Sequence, residues 1–123
     1  MLRSLKNDKT INLYTNFYTS PISVNQLGKI LIKCYKKTLS GIYNIASSTV
    51  IDKYGFGIKV ANKFGYSTKN INATEIKRGS GNNLQRAFTL GLDVSKIENS
   101  LQEKMPTIDE TLDTLYCEYM DEA

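Results

Sequence analysis

"RAFTLGLDVSKIENSL", residues 86–101, sets an arginine directly ahead of an apolar run, and the run directly ahead of a helix start. "FTLGLD" (88–93) reads as a short buried strand. Ser95 and Glu98 have the spacing of a capping box, and Ile97 and Leu101 fall on one helical face. An arginine at the entrance of a buried strand is held near the mouth of whatever that strand borders. The guanidinium of Arg86 suits a two-pronged contact with phosphate; an ordinary surface arginine fits the same position. The choice decides whether the chain is a complete protein or the substrate-holding part of a larger one.

Working outward, "TINLYT" (10–15) alternates as a strand does, and "NFYTSP" (16–21) reads as a loop ending at Pro21. "SVNQLGKILIKCYKK" (23–37) is the clearest helix. Ser23 and Gln26 form a capping box, and Val24, Leu27, Ile30, Leu31, Cys34 and Tyr35 share one face. Ser40-Gly41 is the expected stop. "GIYNIAS" (41–47) reads as a short strand with Ile42 and its neighbours largely buried. Asp52 caps a helix to about Lys63, closed by Gly65. "NINATEI" (70–76) is a weaker strand, and "KRGSGNN" (77–83) is a loop. Thr107 and Glu110 cap a final amphipathic helix over 108–119 that carries Ile108, Leu112, Leu115, Tyr116 and Tyr119. Short strands alternating with amphipathic helices make an α/β or α+β assembly. The strands are too few and too short for a self-sufficient doubly wound sheet.

Composition narrows the chemistry. A chain of 123 residues fits one compact domain, and 41% hydrophobic with 23% charged residues is ordinary for a globular fold. The net charge of +4 comes from dispersed lysines, with no basic run interleaved with aromatics, so no nucleic-acid partner is expected. No histidine is present, which removes the commonest general base and metal ligand. Cys34 and Cys117 lie far apart on helical apolar faces and read as buried or half-buried thiols of a reducing compartment. No segment has the length of a membrane span and the N-terminus is not a signal peptide, so the cytoplasm is the expected location, with no membrane partner. Gly79-Ser-Gly81 lacks flanking elements, and Gly55-Phe-Gly57 lies inside a helix pattern. Neither is a dinucleotide-binding turn.

Four segments, in order, resemble the C-terminal half of the dTDP-4-dehydrorhamnose reductase family of extended short-chain dehydrogenases. "INLYTNFYTSPISVNQLGKIL" is similar to the family's strand, Ser/Thr-Pro loop and helix. "GIYNIASSTVIDKYGFGIKVANKFG" is similar to its next strand and helix. "RAFTLGLDVSKIE" resembles its "RP-(R/K)-N-x-x-L-D-x-SK-L" motif, and "MPTIDETLDTLYCEY" resembles its closing helix. The chain departs from the family's pattern at Asn16-Phe17 (Asp-Gln), Ile22 (Thr), Asn44 (His), Gly55 (Glu) and Ala87 (Pro).

The resemblance implies the substrate-binding part of a Rossmann-type extended short-chain dehydrogenase, one domain over 1–123, with the N-terminal NAD(P)-binding Rossmann domain absent. It implies that Arg86 meets the diphosphate of a nucleotide sugar, a dTDP-linked keto-sugar. Asn16, Thr19, Ser20 and Pro21 would line the sugar side. Asp93, Ser95 and Lys96 mainly start a helix. Such reductases use NAD(P)H and a Tyr-x-x-x-Lys pair, and no tyrosine here has Lys four residues on. No catalytic residue, cofactor or metal is therefore expected in this chain, which would be inactive without a separate Rossmann-domain chain. A stand-alone binding module, used as the methionine adenosyltransferase regulatory subunit uses this fold, is the alternative. A nucleotide-sugar epimerase or dehydratase relative is a third reading.

Overall fold

The computed structural model describes residues 1–77 and 87–122. They form a mixed α/β structure of five helices and short strands that divides into two compact units, each made of two chain segments.

The first unit comprises residues 1–19 and 51–90. It holds helix α1 (Leu2–Lys6), strands β1 (Ile11–Tyr14), β2 (Tyr18–Thr19) and β3 (Ile51–Asp52), helix α3 (Lys53–Phe64), and strands β4 (Ile71–Thr74) and β5 (Thr89–Leu90). β1 and β4 pair in parallel, from Ile11 opposite Ile71 to Tyr14 opposite Thr74. β2 is the centre of a second small sheet, antiparallel to β3 and parallel to β5. α3 begins where the Asp52 carboxylate accepts the Gly55 N–H at 3.0 Å. It ends at Gly65, whose φ of 72° costs a glycine nothing. The Tyr66 N–H then closes back on the Ala61 carbonyl. Leu5, Val60, Ala61 and Ile71 are buried in this unit. Gly57 lies so close to Leu13 that a Cβ there would overlap the leucine Cδ1, so the missing side chain lets α3 lie against β1.

The second unit comprises residues 20–50 and 91–123, with helices α2 (Val24–Lys36), α4 (Ser95–Leu101) and α5 (Ile108–Asp121). Its core is Ile30, Ala46, Val94, Ile97, Leu101 and Met105. Both outer helices carry the expected capping boxes, Ser23 with Gln26 and Thr107 with Glu110. Gln26 does more than cap. Its amide donates to Thr114 Oγ1 and accepts from the hydroxyl of buried Thr111, which ties α2 to α5 through a fully satisfied polar contact.

Several expectations fail, each for a physical reason. Residues 41–47 form no strand, and Ile42 is 87% exposed. The segment is held instead by isolated side-chain hydrogen bonds, such as Asn44 Nδ2 to the Asp93 carbonyl and Lys96 Nζ to the Ile42 carbonyl, and only Ala46 and Ser47 are buried. In "FTLGLD" only Thr89 and Leu90 pair, with β2, and both are exposed, as is Leu92; the run is short and not buried. The 16–21 loop contains β2. Ser95 and Glu98 do not form a capping box. Asp93 Oδ1 takes the Ser95 N–H at 2.8 Å, and the Glu98 carboxylate turns to the Met105 N–H. α2 stops at Lys36, five residues before Gly41. The stop is made by Thr38 at φ 51°, with the Leu39 N–H on the Cys34 carbonyl and the Thr38 N–H on that of Tyr35. The covered face of α2 is narrower than its apolar face, for Val24, Leu31 and Tyr35 are exposed. Cys34 is half-buried, whereas Cys117 is exposed.

Candidate substrate-binding residues

Arg86 and its upstream loop from residue 78 lie outside the described residues. The other four candidates are described. Asn16 follows β1 by two residues and is half-buried. Its side-chain amide grips the backbone of Ile76 from both sides: Nδ2 donates to the Ile76 carbonyl at 3.1 Å, and Oδ1 accepts the Ile76 N–H at 2.9 Å. Thr15 reinforces the same exit of β4 through its hydroxyl on the Thr74 carbonyl. An asparagine suits this position because its one amide group both donates to the Ile76 carbonyl and accepts the Ile76 N–H. Its carboxylate counterpart could accept but not donate.

Thr19 closes β2, opposite Leu90 in the parallel register and Ile51 in the antiparallel one. Its side chain is half-buried. Ser20 and Pro21, in the second unit, are half-buried too, and Ser20 Oγ accepts the Leu92 N–H at 3.1 Å. This bond explains why "FTLGLD" is extended without being a full strand, since one of its N–H groups is satisfied by a hydroxyl instead of a ladder. The sequence pattern gave no sign of the Asn16–Ile76 and Ser20–Leu92 links. Each joins residues 60 or 72 apart along the chain.

The start of α4 is held by local polar contacts. Hydrogen bonds from Ser95, first its hydroxyl and then its N–H, keep the Asp93 carboxyl below its ordinary value. Lys96 donates to the Ile42 carbonyl at 2.8 Å and lies 4.5 Å from the centre of the Tyr43 ring. These contacts fit the reading of 93–96 as a segment that fixes the backbone. Among the described residues no cluster of Cys, Asp and Glu has the geometry to hold a metal ion. No helix among them is long and apolar enough to cross a membrane. Hydroxyl, amide and carbonyl groups on short loops can bind and orient a polar ligand; they bring no strong acid, base or nucleophile.

No family model matches the sequence, and no curated protein does. Solved structures do match. The chain is similar to a dTDP-4-dehydrorhamnose reductase from Bacillus anthracis, solved in complex with NADP. The TM-score is 0.83 at 18% identity, over 95% of this chain and 41% of that one. The reductase from Yersinia enterocolitica gives 0.74 at 16% identity, over 94% and 40%. A hypothetical dTDP-4-dehydrorhamnose reductase from Sulfolobus tokodaii gives 0.71 at 24% identity, over 88% and 38%. The chain thus spans about two fifths of the length of the proteins it matches. Its fold is that of a part of the Rossmann-type extended short-chain dehydrogenases.

Proposed function

We propose that this chain is the nucleotide-sugar-binding part of a dTDP-4-dehydrorhamnose reductase-like, NAD(P)-dependent oxidoreductase. A Rossmann domain outside these 123 residues would supply the cofactor. The observation that carries the reading is the match of 95% of the chain, at a TM-score of 0.83, to two fifths of a reductase. The ordered sequence motifs support it independently of the backbone geometry. Arg86 binds the diphosphate of a dTDP-linked keto-sugar. Asn16 is a positioning residue: it fixes the backbone at Ile76, ten residues before Arg86. Thr19, Ser20 and Pro21 contact the sugar side.

The test is titration calorimetry with a dTDP-sugar on this chain joined to the Rossmann domain of a reductase. A charge-assisted, two-pronged phosphate contact contributes roughly 1.5–3 kcal/mol, so Arg86→Ala weakens binding about ten- to a hundredfold. Asn16→Asp, which keeps the acceptor and loses the donor, weakens it less and lowers stability as well. An Arg86→Ala variant that binds as tightly as its parent overturns the assignment.

A further inference from the structure

Residues 16, 17 and 18 each hold a different stretch of the first unit. Asn16 clasps the peptide of Ile76. The Phe17 carbonyl accepts the Lys53 N–H at 3.1 Å, and the Tyr18 N–H donates to the Phe88 carbonyl at 2.8 Å. Three chain segments therefore meet at one tripeptide, just beyond the carboxyl ends of the parallel strands β1 and β4. Open parallel sheets present their ligand-binding loops at that end.

The ties set cations beside this junction. Lys53 is tied directly, and its Nζ lies 5.5 Å from the centre of the Phe17 ring. Lys77 follows the clasped Ile76 in the chain and is exposed. Arg86, assigned above to the diphosphate, precedes Phe88 by two positions in the sequence. The acids of the unit are Asp8, Asp52 and Glu75. Asp8 stands before β1, at the far end of that strand, and the Asp52 carboxylate is taken up by the Gly55 N–H. The surplus extends through the whole unit. Residues 1–19 and 51–90 carry ten basic and three acidic side chains, a net charge of +7. Residues 20–50 and 91–123 carry six and nine, a net charge of −3. The modest +4 of the chain thus joins a strongly basic unit to an acidic one, and the junction lies in the basic one.

We infer that Lys53 and Lys77 bind the same diphosphate as Arg86. This assignment rests on the nucleotide-sugar reading and adds two residues to the site. Each phosphate of a sugar-nucleotide diphosphate is ionised, so one guanidinium neutralises it only in part. An ammonium on a long stem meets the remaining oxygens as a point charge, without a fixed direction of approach. The Phe17 ring under Lys53 restricts that stem, so less freedom is lost when the anion arrives.

The test is titration calorimetry on the fusion with a reductase Rossmann domain, using a dTDP-sugar and, separately, NADPH, since both carry a diphosphate. Lys53→Gln weakens dTDP-sugar binding about five- to thirtyfold, and Lys77→Gln, whose site is open to solvent, about two- to fivefold. In both variants the affinity falls less steeply with salt than in the parent. Lys53→Arg keeps the charge and binds within about threefold of the parent. NADPH affinity is unchanged throughout. A Lys53 needed only to place Phe17 would lower the melting temperature and leave the salt dependence as it was, which overturns the assignment. So does a loss of NADPH affinity, which would give the lysines to the cofactor. If Arg86→Ala weakens dTDP-sugar binding while both glutamine variants bind like the parent, the assignment of the lysines fails and the nucleotide-sugar reading stands. If the parent fusion binds no dTDP-sugar, that reading fails and the lysines' role falls with it.

Discussion

Thr38 holds the end of α2 in a conformation its own chemistry opposes. At φ 51° a β-branched side chain crowds the backbone, and the left-handed region costs an L-residue about 1–2 kcal/mol. The segment accepts that cost because the two hydrogen bonds to Cys34 and Tyr35 close the helix and bring Leu39 against the core. Thr38→Gly keeps both bonds and removes the crowding, so unfolding stability in urea rises by about 1 kcal/mol. Thr38→Val keeps the crowding and gives no such gain. A Thr38→Gly chain no more stable than its parent would show that the turn is unstrained. Asp93 makes a second prediction. Its carboxyl is held below the ordinary value by Ser95, so the folded state favours the ionised form. The stabilisation is therefore present above the unfolded-state value and is lost as pH falls through the lowered one. The gap in melting temperature between the parent and Asp93→Ala is open near about pH 6 and closes as pH falls through the lowered value, below about 3.9. A gap that persists in acid would place the contribution of Asp93 elsewhere.

Helices were far more legible than strands. The starts at Ser23, Asp52 and Thr107 are as expected because a capping signal is local: a side chain and an N–H three residues away suffice. The strands depend on partners distant in sequence. β5 needs β2, 71 residues away at Tyr18 and Thr89, and nothing in "FTLGLD" states that only two of its residues will find that partner. The same locality misled at Ser95, where Asp93 sits two residues upstream and takes the N–H that a capping box would give to the Glu98 carboxylate. The candidate site divides in the same way. Asn16, Thr19, Ser20 and Pro21 stand out in sequence as one stretch, but the bonds that orient Asn16 and Ser20 reach residues 76 and 92, and a local pattern does not state them. The difference between formed and unformed caps is measurable. Ser23→Ala and Thr107→Ala each cost about 1 kcal/mol, whereas Ser95→Ala costs only a few tenths. Equal losses at all three in denaturant titrations would mean that α4 is capped by its serine after all.

The whole chain carries the fold of two fifths of a reductase. Hydride transfer to a keto-sugar needs a nicotinamide held at fixed distance and a group to protonate the developing alkoxide. The sequence has eight tyrosines, none followed by lysine four residues on, and no histidine. Gly55 and Gly57 lie within α3 itself, not in a strand-to-helix turn that presents N–H groups to a pyrophosphate. The 123-residue chain, mixed with NADPH and a dTDP-linked keto-sugar, is accordingly expected to leave the nicotinamide absorbance unchanged. Joined to a reductase Rossmann domain, the same chain turns over, and Arg86→Ala in that fusion raises KM more than it lowers kcat, because the diphosphate contact is the same in ground and transition states. Turnover by the isolated chain would overturn this division of labour, since no group in the sequence accounts for the proton. A fusion that binds NADPH through its Rossmann domain yet never consumes the keto-sugar would overturn the other half, the assignment of this chain to holding the substrate.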